Sequence, residues 1–268
     1  MRWLAIAPVI GLMSLCVAPG LADVLGLGDV LLNKVEQTYG ASAKRRVEAW
    51  TDLVRRVVVI GPDDETFDDV EGFYDPVFHG PLAISPIVDD DLTSRPAASP
   101  ELEKLDRVNS FFNRMHFVSD RQHWGREDYW ATPVEFLATG AGDCEDFSLA
   151  KYFTLKALGI PLERMRLTYA KALELDQAHM VVAYFPTPDA EPLILDNLVD
   201  DIRPASQRND LVPVYSFNGD GLWLSKERGR GRRVGSAGRL KLWNDLRSRM
   251  EAMFMTPHRG QRTDYAGS

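Results

Sequence analysis

The sequence predicts an α+β fold, with helices through its first half and an antiparallel sheet after them. Two observations lead there. Apolar residues return at helical spacing up to about residue 158, then switch to short alternating or wholly apolar runs. Helices that precede strands, instead of alternating with them, belong beside an antiparallel sheet. With 268 residues, 45% hydrophobic and 26% charged, the chain has material for a sizeable core.

Met1 and Arg2 lead an uncharged run from Trp3 to Val17, and Ala22 stands just before the first acid, Asp23. A charged start, a short apolar run and a small-residue exit describe a secretory signal peptide over 1–22. The run is short for a membrane span, which takes about 20 residues. The mature chain, 23–268, is expected to be one exported domain with its core at about 100–225. Removing the signal takes Cys16 with it and leaves Cys144 as the lone thiol, so no internal disulfide is possible.

The formal net charge is −8. The basic stretch 225–249 holds Glu227 and Asp245 among its Lys and Arg and a single aromatic, Trp243, in place of interleaved ones, so it reads as solvated surface and not as a nucleic-acid site. The acids between Asp63 and Glu71 miss the ligand spacing of a helix–loop–helix calcium site; with the surrounding Pro and Gly they make 61–100 a long irregular connection.

Val47, Trp50, Leu53 and Val54 predict helix within Leu32–Arg56. Ser99-Pro100-Glu101 opens another helix, with Leu102, Leu105, Val108, Phe112 and Met115 as its buried stripe. Thr132-Pro133-Val134-Glu135 is a capping box for a short helix ending at Gly140. A further helix starts at Asp143 as N-cap, carries Cys144 in its first turn and stops at Gly159. Arg166–Ala170, Met180–Phe185 and Pro192–Leu195 read as strands, the last two joined by a Pro-rich turn. Leu242, Leu246 and Met250 mark a C-terminal helix over 240–253.

Cys144 at a helix start meets free N–H groups and the positive end of the helix dipole, which favour the nucleophilic thiolate. Asp143, Glu145 and Asp146 act against it, because carboxylates beside a thiol raise its pKa. Two readings follow. A hard cation, Ca²⁺ by its preference for oxygen, neutralises them; or Asp143 caps the helix and its neighbours complement the dipole. His179 opens one strand and Asp196 closes the next. A hairpin symmetric about residues 187 and 188 makes them direct cross-strand partners, placed for a carboxylate to orient an imidazole. Trp130 is a candidate for lining a substrate groove or for the core. His79, His116, His123 and His258 lack such a context and read as structural or surface residues.

The stretches Asp128–Pro133, Gly142–Phe147, Ala178–Val182 and Leu195–Asn197 resemble the bacterial transglutaminase-like cysteine proteinases of the LapG type. The resemblance implies a papain- or transglutaminase-like fold and a catalytic triad of Cys144, His179 and Asp196. It implies calcium ligands at Asp143 and Glu145, with Asp146 and Asp120 as further candidates. It also implies a periplasmic enzyme that releases a large RTX-type adhesin by cutting near a pair of alanines. Biofilm dispersal follows, and a LapD-like inner-membrane cyclic-di-GMP receptor restrains the enzyme by direct binding. Two other readings remain: an acyltransferase of the same fold, and a non-catalytic calcium-binding or adhesin-holding module.

Overall fold

A computed structural model describes residues 29–59, 74–75, 80–81, 99–224 and 231–254. The expected signal segment, most of the 61–100 connection with His79, part of the basic stretch, and His258 lie outside the described residues.

Two helices come first, α1 (Asp29–Tyr39) and α2 (Ala41–Val59), hinged at Gly40 with φ +90°. Val47, Trp50 and Val54 fall on one face of α2 and are buried. A two-residue ladder joins β1 (Tyr74–Asp75) to β2 (Gly80–Pro81). Helix α3 (Pro100–Phe112) starts as its sequence predicts, with the Ser99 side chain accepting from the Leu102 N–H. Of its expected stripe, Leu105, Val108, Phe112 and, past the helix end, Met115 are buried. Leu102 in the first turn is 38% exposed instead, while Phe111 and Asn109 join the buried face.

Next come β3 (His116–Phe117) and α4 (Asp120–His123), then α5 (Pro133–Thr139) with both halves of the Thr132–Glu135 capping box formed. Gly140 ends α5 in the left-handed region at φ 71°, and the Arg46 guanidinium of α2 caps the carbonyls of Leu137 and Ala138. Strand β4 (Ala141–Gly142) runs parallel to β3 and leads into α6 (Cys144–Ala157). Helix α6 is buried over most of its circumference. Trp50 reaches it from α2 by a 2.9 Å bond from Nε1 to Thr154 Oγ1, and Lys104 of α3 caps the Leu158 carbonyl at its far end.

The sheet consists of β5 (Met165–Ala172), β6 (Gln177–Tyr184), β7 (Leu193–Leu195), β8 (Arg203–Pro204), β9 (Leu211–Phe217), β10 (Leu222–Leu224) and β11 (Arg232–Gly235). Its spatial order is β11-β10-β9-β5-β6-β7-β8, every neighbouring pair antiparallel. Alternation along β6 sends Met180, Val182 and Tyr184 to the main core, and Val181 and Ala183 to a smaller cluster on the opposite face with Ile194. Helix α7 (Lys241–Phe254) closes the main core with Trp243 and Leu246; the expected face partners Leu242 and Met250 are only half-buried. No described helix is long and apolar enough to cross a membrane.

The expected pairing of His179 directly opposite Asp196 is corrected. The β6–β7 ladder pairs Tyr184 with Leu193 and Val182 with Leu195, two residues out of that register. The turn is the cause. Its closing bond runs from the Ala190 N–H to the Thr187 carbonyl, which centres the reversal one residue later. An offset of two preserves the face, so His179 and Asp196 still lie on the same side of the sheet as diagonal neighbours.

Candidate active site

Cys144 is the first residue of α6 and is 8% exposed. Beyond Val182 the β6 edge has no strand beside it, because β7 stops at Leu195. Helix α6 takes that place. The Cys144 sulfur receives the Met180 N–H, and Ser148, one turn later, donates its hydroxyl to the Met180 carbonyl at 2.8 Å. The thiol is thereby fastened to the residue that follows His179.

His179 and Asp196 are both buried, and Nε2 of the ring lies 2.7 Å from Oδ1 of the carboxylate. That leaves Nδ1 for a second partner. The Leu198 N–H also donates to Oδ1 at 3.1 Å. Burial alone would raise the Asp196 carboxyl, but the His179 contact, the Leu198 N–H and Arg208 outweigh it and bring it down to about 2. Arg208 carried no motif in the sequence, yet it is buried and its Nη2 sits 2.6 Å from Asp196 Oδ2. Lys151, on α6, was equally unmarked. Its buried ammonium lies 3.0 Å from the Asp196 carbonyl and 2.5 Å from Asn113 Oδ1, and burial pushes it down to about 7 against the pull of Asp196 and Asp200.

The acids around the thiol form two groups. Asp120, Asp143 and Asp146 each offer a carboxylate oxygen, and these oxygens lie within 4.8 Å of one another. The Tyr129 N–H holds Asp120 Oδ2 at 2.5 Å and the Ala131 N–H holds Asp146 Oδ1 at 2.7 Å, while Oδ1 of Asp120 and of Asp143 are buried without a hydrogen-bond partner. The Asp143 N–H donates to Asp146 Oδ2, which keeps the reciprocal half of a helix-capping box. Gly142 makes room for this carboxylate: a Cβ there would stand 2.2 Å from Asp146 Oδ2. Glu145 falls with Asp143 and the sulfur in the second group, its oxygens accepting from Cys144 Sγ and from the Tyr169 hydroxyl, each at 2.7 Å.

Electrostatics agree with the geometry. Burial and the neighbouring carboxylates Glu145 and Asp146 push Asp143 up to about 9. Burial first, then Glu145 and Asp128, raise Asp120 to about 6 despite the Tyr129 N–H. Burial also lifts Asp146 well above its ordinary value. The Cys144 thiol is raised by burial and then by Glu145 and Asp143, with the Met180 N–H acting the other way. Orphaned, mutually repelling oxygens at this spacing form a donor set suited to a hard divalent cation.

Trp130 belongs to the core. It is 3% exposed and stacks on Phe217 and Tyr169. His116 is exposed on β3 and His123 is half-buried beside Trp124.

Comparison with known proteins bears on these residues. Residues 88–225 match the family model for bacterial transglutaminase-like cysteine proteinase. The solved structure of Legionella pneumophila LapG in EGTA-treated form is 38% identical, with 82% of this chain and 96% of that chain covered and a TM-score of 0.59. The calcium-bound form of Legionella pneumophila LapG is also 38% identical over 82% of this chain and 98% of that one, at a TM-score of 0.58. A comparison with curated proteins gave no match. Given the family match and that identity over most of its length, the chain belongs to the bacterial transglutaminase-like cysteine proteinases.

Proposed function

We propose that this chain is a periplasmic, calcium-dependent cysteine endopeptidase with Cys144 as nucleophile, His179 as base and acid, and Asp196 as the group that orients the imidazole. Its substrate is the N-terminal region of a large RTX-type adhesin, cut near a pair of alanines, so that the adhesin leaves the cell surface and the biofilm disperses. A LapD-like cyclic-di-GMP receptor restrains it by binding. The observation that carries the reading is the convergence of the thiol and the His179–Asp196 pair on two consecutive residues of β6.

In the proposed cycle, Nδ1 of His179 takes the thiol proton and the sulfur attacks the scissile carbonyl. The imidazolium returns that proton to the departing amine, leaving a thioester that water hydrolyses with the same base. Asp196 accepts from Nε2–H throughout. Asp120, Asp143 and Asp146 would hold the calcium ion, with Glu145 at its margin. Bound there, the ion offsets the carboxylate charge that disfavours a thiolate at Cys144. LapG structures described as calcium-bound and EGTA-treated support this part of the reading.

The test is incubation with N-terminal fragments of candidate adhesins. Wild-type protein with Ca²⁺ is expected to cut them, and Cys144→Ala or excess chelator to stop it. Cleavage that survives either condition overturns the assignment, and crosslinked product in place of fragments identifies an acyltransferase.

A further inference from the structure

We infer that Arg208 is a positioning residue for the reaction: it holds the Asp196 carboxylate in the one orientation that keeps the proton on Nε2 of His179 and leaves Nδ1 free for the thiol. This rests on the proposed cysteine-protease reading and adds a residue that the Cys–His–Asp pattern does not contain.

The argument starts from what an aspartate can do at this position. A carboxylate that is ionised only accepts hydrogen bonds, so the imidazole nitrogen facing it must carry a proton. A neutral acid can instead donate to that nitrogen, which selects the other tautomer and puts a hydrogen where the thiol proton should arrive. Burial favours the neutral acid. Asp196 is 1% exposed, so something must hold it charged. His179 and the Leu198 N–H do part of this at Oδ1, and Arg208 is the cation on the other oxygen, with Nη2 2.6 Å from Oδ2. The two oxygens are thus divided: Oδ2 goes to the guanidinium, and Oδ1 to His179 and the Leu198 N–H.

The guanidinium is itself fixed. Its Nε and Nη2 grip both oxygens of Asp210 at 3.0 and 2.7 Å, a paired contact that sets the plane of the group. The side chain enters from the segment between β8 and β9 and meets the carboxylate, whereas other contacts reach the main chain of Asp196. Those contacts anchor the Asp196 carbonyl through Asn113 and Lys151. Backbone and side chain of the acid are therefore held by different elements. The ions run from half-buried Asp210 through buried Arg208 and Asp196 to His179, so protonating the ring completes an alternating row.

The experiment compares Arg208→Met, Arg208→Lys and Asp210→Asn with wild type, and Arg208→Met with the unsubstituted residue in an Asp196→Asn background. All are loaded with Ca²⁺ and checked by thermal unfolding. Turnover of an adhesin fragment gives kcat and KM, and the rate of Cys144 alkylation by iodoacetamide reports the nucleophile without any substrate. Arg208→Met is expected to lower kcat on the order of 10–100-fold with KM within about twofold, up to the loss of about 100-fold that misplacing a reacting group causes. It should slow alkylation in parallel. Arg208→Lys should recover most of both, since an ammonium can still occupy Oδ2. In the Asp196→Asn background the Arg208 substitution should change either rate less than about twofold, because the group it acts through is gone. A folded Arg208→Met protein with near-normal kcat and alkylation overturns the inference, and so does a full additional loss in the Asp196→Asn background. If Arg208→Met does not fold, Asp210→Asn decides: it frees the guanidinium plane and should give a smaller loss in kcat, whereas no loss overturns the inference. Absence of cleavage by wild-type protein would count against the protease reading alone, with the alkylation rates still judging Arg208.

Discussion

Asp196 and Gly142 show how far single positions constrain this site. Held down to about 2 from an ordinary 3.8, the Asp196 carboxyl contributes stability that is fully present above about pH 4 and is lost as pH falls toward 2. That difference corresponds to about 2 kcal/mol. Denaturant unfolding at pH 5 and pH 2.5 is expected to show Asp196→Asn losing less stability on acidification than wild type by roughly this amount. An equal loss in both proteins removes the carboxylate from the account. At Gly142 the constraint is steric, since an added methyl would collide with the Asp146 carboxylate. Gly142→Ala should therefore displace Asp146 and weaken calcium binding at least tenfold, read by calorimetric titration, with the helices intact by circular dichroism. Cys144, His179, Asp196, Asp143 and Asp146 were visible in the sequence because a helix-start Cys and strand-end His and Asp carry local signals. Arg208 and Lys151 were not. Their partners are 12 and 45 residues away, and nothing local distinguishes a buried cation from a solvated one.

Elements place these residues, and here the sequence was legible where local chemistry decides. Ser99, the Thr132–Glu135 box, Gly140 and Gly159 each sit at the helix boundary that their side chains or backbone freedom predict. The hairpin register was not legible, because the Pro-rich turn can centre on either of two positions and only the Ala190–Thr187 bond selects one. The role of α7 also needed coordinates. Arg249 donates to the Tyr129 hydroxyl, Glu135 and the Trp130 carbonyl, and so pins the segment whose Tyr129 and Ala131 N–H groups hold Asp120 and Asp146. Arg249→Ala is expected to cost about 2 kcal/mol in denaturant unfolding, as charge-assisted bonds to partly buried groups are lost. It should also lower calcium affinity although the residue is no ligand. Unchanged affinity would separate α7 from the acidic cluster.

For the whole molecule, the acidic cluster sets how stability responds to pH. Asp120 and Asp143, raised to about 6 and about 9, bind protons in the folded state that the unfolded chain has already released. Without a cation, stability should therefore fall as pH rises from about 4 through these values, the opposite direction to Asp196. A bound divalent ion removes the repulsion, so the increase in melting temperature on adding Ca²⁺ should be larger at pH 8 than at pH 5. Equal increases at both pH values would mean that these carboxylates do not hold the ion. The early end of β7 has its own consequence. Were that strand two residues longer, its backbone would claim the Met180 amide and evict the sulfur from its berth. The short hairpin arm is thus a vacancy kept open in the ladder, and the Cys144 sulfur is its tenant.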